Sequence, residues 1–196
     1  MSRIAEIHRK TGETEIHIHL AIDGQGKGTI STGNGFFDHM LTAFAQHGFF
    51  DVTIKCLGDI EVDFHHSAED IGISLGQAFR KALQDKRGIF RYSHSYVPMD
   101  EALVRVVADI CGRSNLVYSE ELRDRRINTF EVDLAYDFLK GLADHAMMTL
   151  HIDIIRARNS HHALEALFKG LGRTLHHACM INPAAADVIP STKGSL

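Results

Sequence analysis

Apolar and polar residues alternate over residues 3–9 and again over 14–22, which predicts two antiparallel strands with Gly12 in the turn between them. On the second strand Ile16, Ile18 and Leu20 share one face, and His17 and His19 share the other as a polar sheet face. Turn residues from Asp23 to Gly28 lead to a short third strand, Thr29 to Thr32, and Gly33-Asn34-Gly35 breaks the chain. The period then lengthens to that of a helix from about Phe36 to His47, closed by Gly48 as the residue beyond the cap. Residues 49–57 read as a strand, Gly58-Asp59 as a turn and 60–64 as the hairpin partner. A second helix runs from His65 to about Gln84, with Ile71, Leu75, Ala78, Phe79 and Ala82 at helical spacing. Beyond Ile89 the alternation returns over 90–98, 101–110 and 115–122, and 124–128 is a loop. A helix from about Asp133 to His145, a strand over 148–155, a helix from His161 to about Met180 and an irregular tail with Pro183 and Pro190 complete the chain.

The order of elements repeats. At a constant offset of 98, Ala45-Gln46-His47-Gly48 faces Ala143-Asp144-His145-Ala146, and His39 faces Asp137. A strand, a hairpin and a helix follow in each half, which is the mark of a duplicated α/β unit. The expected division is a first half over 1–92, a second over 93–182 and a tail over 183–196.

Both halves open their second helix with the same pattern, HHxxE: His65-His66-Ser67-Ala68-Glu69 and His161-His162-Ala163-Leu164-Glu165. With 14 His in 196 residues, chance supplies about 0.05 copies, so two copies in equivalent places carry information. Neighbouring residues on a helix point about 100° apart, whereas i and i+4 share a face. Each His pair therefore diverges and suits two different ions better than one. Imidazoles with a carboxylate and no thiolate fit Mn, Zn, Fe or Ni. A helix N-terminal His with a capping carboxylate would look the same in a single copy. His176-His177 lacks the carboxylate and reads as an exposed helix tail, and His94 and His151 read as strand positions in a core or sheet face.

Composition narrows the class. The net charge is −4 and the apolar fraction 44%, enough for a core of one domain or two tightly joined ones. Cys56, Cys111 and Cys179 are scattered and fit a reducing, cytoplasmic setting. No uninterrupted apolar run reaches the about 18 residues of a membrane span, and the first residues lack the apolar core of a secretory signal. Arg123, Arg125 and Arg126 sit among Glu120, Glu121 and Asp124, which argues against a nucleic-acid patch. Two further segments are chemically loaded: Arg91 to Glu101 with Asp109 to Arg113, and Lys169 with the tail Ser191 to Gly194. Their cations and hydroxyls could collect a phosphate or simply be solvated surface. Asp100, after Pro98, could be a general acid or base, or a turn residue.

The runs FDHML at 37–41, HHSAED, VPMDEAL, Asp109 to Arg113, NSHHALEALFKGLGR and PSTKGSL together resemble imidazoleglycerol-phosphate dehydratase, in order and over nearly the whole chain. The resemblance implies an α+β fold of duplicated βαβ half-domains of the ribosomal protein S5 domain 2-like type, with sheet faces covered by paired helices. It implies dehydration of imidazoleglycerol phosphate to imidazoleacetol phosphate in histidine biosynthesis, by way of a metal-bound imidazolate. It also implies two Mn2+ per active site and a 24-subunit homo-oligomer with sites between subunits. Carried over residue by residue, His39, His65, His66, Glu69, His161, His162 and Glu165 become metal ligands; at the eighth position, often His in the family, this chain has Asp137, either a retained but altered ligand or one lost to the outer shell. Arg91, Arg113, Lys169, Ser191 and Lys193 become the phosphate cluster, and Glu13 and Asp100 the catalytic groups. The repeat alignment reaches Asp137 independently. A dinuclear hydrolase of a small phosphorylated or ester substrate could use the same ligands, and so could a non-catalytic metal-binding module.

Overall fold

A computed structural model describes residues 3–119 and 122–196. The first half holds β1 (Ile4–Lys10), β2 (Thr14–Ala21), β3 (Gly28–Ser31), α1 (Gly35–Gly48), β4 (Asp51–Gly58) and α2 (His65–Leu83). The second half repeats the order: β5 (Tyr92–Met99), β6 (Ala102–Asp109), β7 (Asn115–Ser119), α3 (Leu134–Ala146), β10 (Thr149–Arg156) and α4 (Ser160–Cys179). A two-stranded ribbon, β8 (Arg126–Ile127) with β9 (Phe130–Glu131), is inserted before α3. The sheets have matching orders, β1-β2-β4-β3 and β5-β6-β10-β7. In each, three strands pair antiparallel and the last pairs parallel to its neighbour. The architecture is the α+β duplication expected from the sequence.

One face of each sheet is buried by alternation. Ile16, Ile18 and Leu20 on β2, and Val104, Val106 and Ala108 on β6, are all nearly inaccessible. The helices cover these faces, α2 on β1 and β2, α4 on β5 and β6. Across the halves α1 packs on α4 and α2 on α3. Phe37 of α1, Phe138 of α3 and Phe168 of α4 meet at the centre. Their ring centroids lie 5.3 Å (Phe37–Phe138) and 5.4 Å (Phe138–Phe168) apart.

Glycines bring the helix backbones together. A Cβ on Gly76 would stand 2.6 Å from the carbonyl oxygen of Leu142 and 2.8 Å from the nitrogen of Ala146. Gly172, its repeat counterpart, meets the counterpart atoms, the Phe44 oxygen and the Gly48 nitrogen.

The structure corrects four expectations. Residues 60–64 form no strand: β4 ends at Gly58, a turn follows, and α2 begins at His65. The second half likewise has no hairpin, since β10 leads into α4 through Ala157-Arg158-Asn159. Gly48 is the last residue of α1, and the left-handed residue beyond it is Phe49, with φ 53°. Gly48 is needed for closeness instead, because a Cβ there would meet the Phe50 ring and the Gly172 oxygen. The presumed loop at 124–128 enters the β8–β9 ribbon, whose Phe130 is fully buried. Glu120 and Glu121, in the expected strand over 115–122, lie outside the described residues.

Candidate metal and substrate site

The two HHxxE motifs occupy the first turns of α2 and α4, and both turns are fixed in the same way. Asp63 Oδ1 accepts the backbone N–H of His65 at 2.7 Å, and Asn159 Oδ1 accepts that of His161 at 2.9 Å. Each residue stands two places before its histidine. The paired rings diverge as helical spacing requires: the planes of His65 and His66 meet at 87°, those of His161 and His162 at 84°.

The first His of each pair joins a centre that straddles the halves. Because α1 packs on α4, His39 reaches Glu165 with Nε2 3.3 Å from Oε2, and His161 Nε2 lies 3.2 Å from the same oxygen. One ligand atom from each of these three residues lies within 4.8 Å of the others. Because α2 packs on α3, His65 Nδ1 lies 3.5 Å from Asp137 Oδ2, and its Nε2 lies 3.9 Å from Glu69 Oε2. The repeat thus brings His39 and Asp137 to equivalent places, each beside the other half's HHxxE helix.

The second His of each pair points elsewhere. His66 Nδ1 lies 3.1 Å from an Asp59 oxygen, and Nε2 is 3.7 Å from Glu13. His162 Nδ1 lies 2.9 Å from Glu101 Oε2 and 3.9 Å from Asp100. A carboxylate on Nδ1 holds the proton there and leaves Nε2 with the lone pair, the usual arrangement of a metal-binding imidazole. The Asp59 carboxylate raises the His66 pKa above the usual imidazole range. Glu101 is pulled down to about 2, first by His162 and also by the backbone N–H groups of Asn159 and Arg158. Asp59 and Glu101 were missed in the sequence. Glu101 directly follows a candidate, Asp100, and its signal is its place just before β6, matching Glu13 just before β2.

Glu13 sits in the β1–β2 turn, which a buried side chain anchors. Asp70, next to Glu69 on α2, accepts from Arg9 Nη1 and from Thr14 Oγ1, both at 2.5 Å. The turn carrying Glu13 is therefore tied to the helix carrying the motif.

The candidate phosphate residues fall into two groups. Arg91, with φ 71°, is clamped by Asp109 (Nε to Oδ1 2.7 Å), and its Nη1 donates to the Pro190 carbonyl at 2.8 Å. Ser191 follows in the tail, where its Oγ accepts from the Lys193 backbone N–H. Arg113 and Lys193 are exposed. Lys169 belongs to the other group: its Nζ lies 2.7 Å from Glu165 Oε1. Arg91 N–H donates to the Ala178 oxygen, nine residues further along α4, so the two groups stand about 14 Å apart along the helix. Burial pushes the Glu165 carboxyl up, but the Lys169 ammonium and His39 more than offset it and hold the pKa below the usual range. A cleft of about 450 Å³ opens beside His65, lined also by Asn34, Ile60, Phe64, Thr129 and Leu134.

The donor set, imidazole nitrogens and carboxylate oxygens, fits a first-row transition ion, and only His39, His161 and Glu165 of the two sets are drawn together as one group. His39, His161 and Glu165 would hold one ion, and His65, Glu69 and Asp137 another.

The family model for imidazoleglycerol-phosphate dehydratase matches residues 32–175. The chain is 53% identical over 194 residues to the imidazoleglycerol-phosphate dehydratase of Acinetobacter baumannii (strain SDF), covering 99% of this chain and 96% of that one. It is 51% identical to that of Ralstonia pickettii (strain 12J) over the full length of both. Among solved structures, imidazoleglycerol-phosphate dehydratase from Staphylococcus aureus superposes with a TM-score of 0.83 at 38% identity, covering 91% of this chain and 99% of that one. The Pyrococcus furiosus structure, in complex with (S)-C348, gives 0.84 at 37% identity, covering 97% and 100%.

Proposed function

The chain belongs to the imidazoleglycerol-phosphate dehydratase family and is a hydro-lyase of histidine biosynthesis, and from that premise we propose how its residues divide the work. The reaction removes water from imidazoleglycerol phosphate and gives imidazoleacetol phosphate. Its difficulty is that the proton to be lost sits on a carbon with no neighbouring carbonyl. The hydrolase alternative has nothing comparable in its favour.

The observation that carries the reading is the pair of cross-half ligand sets, with Glu13 beside His66 of the first motif. His39, His161 and Glu165 would hold one cation; His65, with Asp137 and Glu69 at its two ring nitrogens, would contribute to the other; His66 and His162 would offer Nε2 to cations completed elsewhere in the assembly. Mn2+ is the proposed metal, two per site, and when bound it supplies Lewis acidity that favours the deprotonated imidazole of the substrate. Asp59 and Glu101 keep the outward imidazoles in the tautomer that can ligate. Glu13, held by Thr14, Arg9 and Asp70, takes the proton from the carbon next to the one that loses hydroxide. Asp100 stands near His162 and handles the departing water. The enol then ketonises.

Residues 1–92 and 93–182 form the repeat halves in this reading, and 183–196 a tail serving the phosphate. Arg91, Arg113, Lys169, Ser191 and Lys193 grip that phosphate, and Lys169 also pairs with Glu165. The separation of Lys169 from Arg91 favours a site completed by a second copy, in the 24-subunit homo-oligomer that the family resemblance implies. A cytoplasmic location suits a biosynthetic enzyme; no helix among the described residues is long and apolar enough to cross a membrane.

The decisive experiment incubates metal-stripped protein with imidazoleglycerol phosphate, with and without added Mn2+, and follows the enolisable ketone in alkali. Product should form only with the metal restored. Full activity in the stripped protein would remove the metal from the reading, and no product under either condition would remove the reaction.

A further inference from the structure

The outer face of the first sheet, away from the helices, carries a ligand group that the dehydration does not use. β1 and β2 pair with His8 opposite His17 and Lys10 opposite Glu15. Alternation puts these four side chains on the solvent face, since the intervening Ile16 and Ile18 are buried. The two imidazoles stack, with centroids 3.9 Å apart and planes 13° from parallel. Their Nε2 atoms converge on a single oxygen: His8 lies 3.2 Å and His17 3.7 Å from Glu15 Oε1. One ligand atom from each residue lies within 4.8 Å of the other two.

We propose that His8, Glu15 and His17 form a further cation site, selective for a borderline transition ion of the Zn2+, Ni2+ or Cu2+ class. Two imidazole nitrogens and one carboxylate, with water completing the shell, suit these ions, and the affinity order places them above Mn2+. The charge around the site favours the same choice. Lys10 Nζ lies 2.7 Å from Glu15 Oε2, and Lys55 on β4 stands opposite His17. Two ammonium groups repel a hard cation held by charge alone, whereas an ion that forms strong bonds to imidazole tolerates them. Lys10 occupies Oε2 and leaves Oε1, the oxygen both rings face. The scaffold is rigid, because the three residues sit on two same-face rungs of one antiparallel ladder, separated by the Arg9–Ile16 rung. A bound ion staples the strands on either side of the Thr11–Glu13 turn.

The test is equilibrium dialysis of the Mn2+-loaded protein against Zn2+. It compares the wild type with a His8→Ala/His17→Ala variant, so that any Zn2+ entering the inter-helical centres cancels. All three side chains are at least partly exposed and outside the proposed catalytic machinery, so the variant should fold and turn over as the wild type does. The wild type should hold one more Zn2+ per chain than the variant. Glu15→Gln should weaken that extra equivalent about tenfold, and Lys10→Ala should tighten it. Equal Zn2+ uptake by wild type and double variant overturns the site, as does an extra equivalent that is insensitive to Glu15→Gln.

Discussion

The centre at His39, His161 and Glu165 and its counterpart at Asp137, His65 and Glu69 arise from the same positions of the repeat, yet they differ in closure. In the first, two imidazole nitrogens approach one oxygen of a buried carboxylate, which Lys169 neutralises from its other side. In the second, the two carboxylates address opposite edges of the His65 ring, and Glu69 is half exposed. Ile73 fills the place that Lys169 has in the other half. Lys169 thus draws the Glu165 carboxylate toward its own helix in the first centre, and no described residue does the same for Glu69 in the second. The backbone equivalence is much closer, with Gly76 and Gly172 touching counterpart atoms and Asp63 and Asn159 accepting from the backbone N–H of the first motif histidine in counterpart turns. Packing has kept the repeat symmetric while the chemistry has diverged on it.

The sharpest divergence lies at the hairpin tips, where Glu13 and Glu101 precede equivalent strands. Glu13 is anchored through its neighbours by Asp70, whose counterpart in α4 is Ala166. Glu101 is itself tied down by His162 and two backbone amides. Glu13→Gln should lower kcat by about 10²–10⁴-fold, the range for losing a general base, with metal content unchanged. Glu101→Gln should weaken metal binding by about 10–100-fold and regain turnover in excess Mn2+. Kinetics across a Mn2+ titration separate the two outcomes. A Glu101→Gln loss that excess metal does not rescue would make the two tips chemically alike.

Next in size is the effect on stoichiometry. His39→Ala and Asp137→Ala should each cost one Mn2+ per chain in exhaustively dialysed protein, measured by elemental analysis. Asp137→Ala is the more informative, since its centre is the looser one. Two ions retained in that variant would remove Asp137 from the ligand set and end the equivalence of the centres.

The sequence carried much of this through periodicity. Alternation marks β2 and β6, and the HHxxE spacing predicts the divergence of the paired rings. Other features depend on contacts that no local pattern encodes. Residues 60–64 alternate like a strand, but β4 already has β2 and β3 on its two edges, so no partner remains for them. Lys169, a phosphate residue by resemblance, also stands i, i+4 from Glu165 and pairs with it, a contact not read from the sequence. Asp59 is indistinguishable from an ordinary turn residue until His66 is placed against it.

The symmetric part of the repeat predicts equal responses. Gly76→Ala and Gly172→Ala both press a methyl into the backbone of a facing helix, and overpacking of this kind costs about 1–3 kcal/mol. Thermal unfolding of the two variants should give closely similar drops in Tm. A large difference would mean that one helix pair, α2 with α3 or α1 with α4, has room to move apart.

The smallest effect concerns a position where the halves face the same interior with different groups. Ser74 of α2 is fully buried, and its hydroxyl finds no hydrogen-bond partner among the described residues. Its counterpart in α4 is Gly170, whose carbonyl accepts from Ser95 and whose missing Cβ would lie 3.1 Å from Val106. Ser74→Ala removes an unpaired polar atom from the core and replaces a weaker helix former with the strongest, together worth roughly 0.5–1.5 kcal/mol. Tm should rise by about 2–4 °C per kcal/mol in a chain of this length. Gly170→Ala gains more helix propensity, about 1 kcal/mol, but crowds β6, so its Tm should rise less or fall. If Ser74→Ala lowers Tm instead, the hydroxyl has a hydrogen-bond partner in the folded protein.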